Sequence, residues 1–496
     1  MKGTPMKGFI DESKIETRLF INGEYVPSKN GKTIIKTSSF TGEKLVPVYA
    51  GEKEDADEAV NAALNAYRKG TWSGLSLAER KAVILKFADL MEENRDILAR
   101  LDTYETCRAY RNYYYDSIPK AIEAVRYFAE AADKLYDTAI PPKKDSFGIV
   151  CRKPLGVVAV ITPWNDPMVV MSWKSVPALL MGNSVIIKPA EQSSLSALFT
   201  ASLAKKAGIP DGVYNVVSGY GEEAGKALAL NNDVSGVFFT GSSAVGKQII
   251  TYSGMSTMKK VGLECGGKGP FIVTAGCKDI RRAAEVLAAN MFYNQGQICS
   301  APSRAIIDRS IRDRFLEYLF EESRKFVPGD PFDIKNNVGC VVSGEQYDRV
   351  MSYIETGKTE AEGYYAPEPS PGMPETAKAV CPHIFYGVSN KARIAREEIF
   401  GPVCTVIDSG SAEEAVEIAN DSDYGLAGAV FTDDISEAYY VADRLDCGLI
   451  HVNSYGEDDN TSPFGGIKQS GIGKDKSLFE FDEYSQLRSV WVKTVK

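Results

Sequence analysis

GVVAVITPWNDPMVVMSWKSVPALLMGNSVIIKPAEQSSLSALFTASLAKKAG, residues 156 to 208, alternates strand-length apolar runs with helical ones. VVAVIT (157 to 162) reads as a buried strand, and a helix is expected from Pro167, because Asp followed by Pro suits a helix N-cap and first turn. SVIIK (184 to 188) reads as the next strand and SLSALFTASLAKKAG (194 to 208) as the next helix. YNVVSG, EEAGKALAL, GVFFT and AVGKQIITYS continue the alternation to residue 253. Strand, helix, strand repeated in this way specifies a parallel sheet with helices on its faces.

A second series begins at Phe271: FIV, KDIRRAAEVLAANMFYNQ, RAIID, IRDRFLEYLFEESRK, CTVID, AEEAVEIAN, GLAGAVFT, SEAYYVADRL and GLIHVN. Two α/β units in tandem are therefore expected, with a boundary near residues 265 to 270. Upstream, FINGEYV (20 to 26) carries the Asn-Gly signal of a hairpin. Residues 55 to 69, 77 to 102 and 119 to 136 have helical apolar spacing, and 137 to 154, with Pro141 and Pro142, reads as a protruding hairpin.

The 496 residues carry 57 basic and 66 acidic side chains, a formal charge of −9, with no cluster of Lys and Arg suited to a nucleic acid backbone. The apolar runs are broken well before the ~20 residues of a membrane span, and the charged amino-terminal stretch has no apolar core of a secretory signal. Two histidines, His383 and His451, and nine dispersed cysteines without a CxxC pair leave no zinc site, so no metal is expected. The scattered thiols suit a reducing, cytoplasmic setting. Histidine is also too scarce to be the expected general base.

Four segments could carry chemistry. In FTGSSAVGK (239 to 247), Gly241 and Gly246 follow a strand and open a helix, whose amide groups could face an anion. The spacing matches GxxxxGK, but Gln248 stands where a phosphate-binding loop needs Ser or Thr for magnesium, and GxGxxG is absent. In NQGQICSAPSR (294 to 304), Cys299 is flanked by small and polar residues that could expose its sulfur, whereas most of the other cysteines lie in apolar runs typical of inert core thiols. In VGLECGGKGP (261 to 270), Glu264 ends an apolar strand before Gly266 and Gly267, which would let a ligand or backbone approach closely. Partial burial would raise that carboxyl toward the range of a base, while the plainer reading is a solvated strand end. In ITPWNDP (161 to 167), Asn165 could donate to a developing oxyanion.

Together, TPWNDP (162 to 167), IIKPAEQ (186 to 192), FTGSSAVGK, LECGGKGP (263 to 270), NQGQICSAPSR, EEIFGPV (397 to 403) and PFGGIKQSGIGK (463 to 474) resemble the aldehyde dehydrogenase superfamily, in its order, from about residue 18 onward. The resemblance implies an α/β fold with two doubly wound sheets: a Rossmann-variant cofactor domain (1 to 136 and 155 to 267), a catalytic domain (268 to 466), and a bridging β element (137 to 154 and 480 to 496) that pairs subunits into a homodimer or homotetramer. It implies Cys299 as nucleophile, Asn165 as oxyanion donor, Glu264 as general base, and Lys174 with Asp475 in proton relay. For the cofactor it implies Ile161, Pro163, Trp164, Lys188, Glu191, Gly221, Gly241, Ser242, Val245, Gly246, Glu398 and Phe400. Glu191 favours NAD, since a carboxylate binds a ribose 2′-hydroxyl and repels a 2′-phosphate; NADP is the alternative.

The implied reaction is oxidation of an aldehyde to its acid. Asp166, where the family commonly has an aromatic residue, and Glu457, Asp458 and Asp459 near the substrate entrance suggest a cationic aminoaldehyde. Tyr115, with Tyr113 and Tyr114, leaves an aromatic aldehyde open, and Asp166 has the plain alternative of an N-cap. The rival functions are a CoA-acylating dehydrogenase, against which Glu264 argues, and a cofactor-independent thiol hydrolase or esterase.

Overall fold

The computed structural model describes residues 8 to 494; the remainder of the amino-terminal stretch and the last two residues, included in the expected domain spans, lie outside them. Five parallel strands form the middle of an eight-stranded sheet, in the order Tyr214–Val216, Ser184–Lys188, Val157–Ile161, Gly236–Thr240, Lys260–Glu264. The chain starts on the central strand Val157–Ile161, builds outward on one side, then crosses to the other, so the order reverses between Ile161 and Thr240. A crevice opens at the carboxyl ends of strands where such a reversal occurs, and cofactors bind there. Antiparallel strands complete both edges: the hairpin Leu19–Ile21 and Glu24–Val26 on one, Gly471–Ile472 on the other.

All five residues of Val157–Ile161 are buried, as a strand covered on both faces requires. The helix Pro167–Leu180 buries every residue except Trp173, which fits its apolar composition all round. The apolar spacing of 77 to 102 is broken at Asn94, giving helices Leu77–Glu93 and Arg95–Thr106, with the Asn94 amide donating to the Leu90 carbonyl at 2.8 Å.

The second sheet has seven strands, in the order Gly363–Tyr365, His383–Tyr386, Val403–Ser409, Arg304–Asp308, Pro270–Val273, Ala427–Phe431, Leu449–Val452. All neighbours are parallel except the first pair. A three-stranded antiparallel sheet joins the hairpin Thr138–Lys143 and Ser146–Pro154 to Ser485–Lys493. No helix among the described residues is long and apolar enough to cross a membrane.

Candidate active site

The loop carrying Cys299 leaves the helix Ile280–Phe292 through Asn294, Gln295 and Gly296, all with φ between 47° and 66°. Left-handed backbone at two non-glycine residues is costly and must be held by surrounding contacts. Here Gln297 Nε2 donates to the Asn294 carbonyl at 3.0 Å, its Oε1 accepts from Val342 N at 3.0 Å, and Gln295 Nε2 donates to the Gly339 carbonyl.

So braced, Cys299 keeps partial solvent contact at the junction of two cavities. One, of about 620 Å³, is lined by Trp164, Gly266, Glu398 and Phe400; the other, of about 410 Å³, by Asp166, Trp173, Tyr293 and Asp458. Asn165, Thr240 and Cys299 line both. The Asn165 Nδ2 group, the expected oxyanion donor, donates to the Gln297 carbonyl at 3.0 Å. Burial pushes the Cys299 thiol up to about 12, and the Glu264 and Glu398 carboxyls add to the shift. A thiol so placed attacks only when its proton is drawn off or a positive charge comes near.

Glu264 is buried, not at a solvated strand end; neither of its oxygens has a hydrogen-bond partner, and it lines neither cavity. Burial and the neighbouring Asp475 hold it well above the ordinary carboxyl range, against the pull of Lys174 and Lys474. The two glycines after it are required by close approach. A Cβ at Gly266 would lie 2.0 Å from Glu398 Oε2, and one at Gly267 would lie 2.6 Å from the Cys299 carbonyl oxygen.

Lys174 and Asp475, 301 residues apart, form a buried pair, with Lys174 Nζ 2.8 Å from both carboxylate oxygens. Burial opposes the Lys174 charge, but Asp475 and Glu264 outweigh it and raise this lysine above its usual value. Glu480, marked by no motif, is buried beside them and accepts from Lys476 N.

A third cavity, of about 420 Å³, opens at the strand-order reversal and is lined by Ile161, Pro163, Trp164, Lys188, Glu191, Gly221, Gly241, Ser242 and Val245. It shares Pro163, Trp164, Thr240, Gly241 and Ser242 with the cavity that reaches Cys299. The two form a path suited to a dinucleotide. Lys188 Nζ, buried, lies 3.5 Å from Glu191 Oε2, and burial pulls this lysine below its usual value. Ser242 caps the helix Ser243–Met255, which turns its amino-terminal amides toward the path. Glu398 accepts from Gly267 N at 3.0 Å and is pushed to about 7 by burial, and Phe400, at φ 57°, packs edge-on to Trp164 at 5.2 Å. Gly246 does not line the path; its place is set by packing, since a Cβ there would lie 2.8 Å from Cys265 Sγ.

Not all the expected substrate residues meet. Asp166 and Asp458 line the cavity on the far side of Cys299, whereas Glu457 and Asp459 are exposed outside it, Asp459 being turned to Thr461 N at 2.8 Å. Tyr115 is 59% exposed and lies off the cavity, stacked edge-on against Tyr114. Asp166 takes the N-cap position of Pro167–Leu180 but makes no side-chain cap bond. Its carboxylate turns instead to Arg108, at 3.2 Å.

Arg108 is the principal residue that motif reading missed. It is buried, lies over the Tyr113 and Tyr293 rings, and donates to the Asn165 carbonyl at 3.0 Å and to Tyr293 Oη at 2.6 Å. Tyr293 in turn donates to Asp116 at 2.7 Å. Arg108 thus fixes both the residue proposed to bind the oxyanion and the acid beside it. Only the tyrosine-rich setting of CRAYRNYYYD hints at this place. Asp458, for its part, pairs with Lys476, whose ammonium lies 5.5 Å from the Trp173 ring centre and 5.8 Å from that of Phe464.

A braced cysteine between a dinucleotide path and a side-chain cavity, with a buried carboxyl behind it, defines a cofactor-linked thiol enzyme. The pattern of the aldehyde dehydrogenase family matches residues 25 to 490, and the chain belongs to that family. It is 44% identical over 478 residues to the NADP/NAD-dependent aldehyde dehydrogenase PuuC of Escherichia coli, covering 96% of each chain. It is 38% identical to the aminoacetaldehyde dehydrogenase of Pseudomonas aeruginosa, covering 96% of this chain and 95% of that one. Among solved structures, the indole-3-acetaldehyde dehydrogenase AldA of P. syringae, in complex with NAD+ and IAA, superposes with a TM-score of 0.94 at 46% identity over 97% of each chain.

Proposed function

We propose that this chain oxidises an aldehyde to the carboxylic acid with NAD, through a thioester on Cys299. The observation that carries the reading is the place of Cys299, the one thiol at which the cofactor path and the second cavity meet. Cys299 Sγ gives its proton to solvent water and adds to the carbonyl carbon, and the oxyanion so formed is held by the Asn165 amide and the Cys299 N–H. NAD, when bound, supplies the hydride acceptor and a positive ring charge beside the thiol. The oxyanion re-forms the C=O bond as hydride leaves, giving the thioester; Glu264 then takes a proton from water, whose oxygen displaces the sulfur and releases the acid. The Lys174–Asp475 pair keeps a buried route by which Glu264 exchanges that proton. Lys188 and Glu191 meet the adenosine ribose, Glu398 the nicotinamide ribose, and Glu191 favours NAD over NADP.

Aldehyde addition to enzyme and NAD should raise the absorbance of NADH at about 340 nm, with acid formed in equal amount and without CoA. Acid or NADH formation that depends on CoA would replace this reading with the acylating one, and ester hydrolysis with no NADH from any aldehyde would replace it with the hydrolase.

The substrate reading is an aminoaldehyde. Asp166 Oδ1 is buried at the cavity wall without a partner, an orphan acceptor that an ammonium N–H would satisfy. Asp116 lines the same wall, accepting from Tyr293 Oη at 2.7 Å and paired with Lys120 at 2.8 Å. Asp166→Asn should therefore lower kcat/KM for 4-aminobutanal by about tenfold, the worth of a charge-assisted bond, and that for butanal by less than about twofold. Equal losses on both aldehydes would remove the cationic reading.

The two larger sheets favour a division in which the first belongs to the cofactor domain and the second to the catalytic domain. Phe147, Ile149, Leu487 and Trp491 are exposed on the small third sheet, which favours pairing of subunits along its edge. The nine unpaired cysteines favour a reducing cytoplasm.

A further inference from the structure

The adenosine end of the cofactor path is supported from behind by a residue that does not line it. Lys36, some 150 residues before the turn that carries Glu191, sends its side chain, only 12% exposed, into the interior. Its Nζ contacts Glu105 Oε1 and donates to the Gln192 carbonyl at 3.4 Å. Glu105, whose side chain is fully buried in the helix Arg95–Thr106, uses its other oxygen to accept from Leu195 N at 2.7 Å. Leu195 opens the helix Leu195–Ala207, and Ser194 at its N-cap makes no side-chain cap bond, so Glu105 performs that task. One buried ion pair thus grips the turn at Gln192 and at Leu195. Gln192 and Glu191 just before it line the cavity.

We propose that Lys36 is a positioning residue for the cofactor: pinned between Glu105 and the Gln192 carbonyl, its ammonium holds the turn that presents Glu191 to the adenosine ribose. The inference rests on the reading of that cavity as the NAD site.

The charge of Lys36 is held by its partner. Burial opposes it, with Glu191 and Asp102 acting the other way, and the Glu105 carboxylate in direct contact favours the ammonium. The groups that face it are Glu105 and Asp102 from the helix Arg95–Thr106 and Glu191 from the turn, with Lys188 beyond Glu191. The buried pair therefore keeps the ammonium, and its grip on the turn, in place.

NADH binding to the full-length enzyme, read by fluorescence titration, tests this. Lys36→Met should bind about tenfold more weakly than the wild type. Lys36→Arg, which keeps the charge, should bind within about twofold of the wild type. Hydrolysis of p-nitrophenyl acetate without cofactor, which reports a folded Cys299 site, should be unchanged in both variants.

Lys36→Met binding NADH within about twofold of wild type overturns the proposal, as does a loss in Lys36→Arg as large as that in Lys36→Met, or ester hydrolysis that falls in step with binding. Wild-type enzyme that hydrolyses the ester but binds no NADH at all would instead overturn the cofactor reading on which the proposal rests.

Discussion

Cys299→Ala should lower aldehyde-dependent NADH formation by about 10⁴-fold or more while leaving NADH binding and thermal stability near those of the wild type. The size follows from the chemistry. Without sulfur there is no tetrahedral adduct from which hydride can leave, and no other thiol meets both cavities. Cys265 lines the cofactor path, but it is buried, pushed to about 12 by that burial, and absent from the second cavity. The fold does not depend on the Cys299 sulfur, because the loop is braced by Gln295 and Gln297. A single-turnover measurement of NADH absorbance, with Cys299→Ser beside it, checks this. Residual NADH formation within about a hundredfold of wild type would remove Cys299 as the nucleophile.

The sequence carries the strand-helix alternation from 156 to 253 in local apolar periodicity, so the parallel sheet was legible from it. Cys299 stood out among the cysteines because its neighbours are small and polar, and it does lie at a cavity junction. What stayed hidden depends on contacts between distant segments. The Arg108–Asp166 pair spans 58 residues and belongs to no motif, and it redirects an Asp-Pro step that local rules read as a cap. The run of Glu457, Asp458 and Asp459 looks uniform in sequence, yet only the middle residue faces the cavity. Lys36 stands among polar residues of the early chain, and only the folded chain shows it buried against Glu105. Gly246 matched a cofactor motif but is fixed by packing on Cys265.

Glu264→Gln separates the two halves of the reaction. The substitution keeps the shape of a side chain that is buried without hydrogen-bond partners, and it removes the carboxylate. The first half uses Cys299 and Asn165, so about one NADH per active site should still appear in a rapid burst. The second half needs a base for water, so steady turnover should then fall by about 10²- to 10⁴-fold. The pH dependence has a definite sign. Burial and Asp475 hold Glu264 above the ordinary carboxyl range, so its basic form grows as pH rises. Wild-type thioester hydrolysis should therefore climb with pH through that raised pKa, and Glu264→Gln should lose the climb. Glu264 must also leave its buried place near Lys174 and Asp475 to reach the thioester, because it lines neither cavity at rest. On its return, the proton it has taken from water can pass toward that pair. A Glu264→Gln enzyme with no burst would put Glu264 in the first half of the reaction, and one with steady turnover within a few-fold of wild type would give the base role to another group.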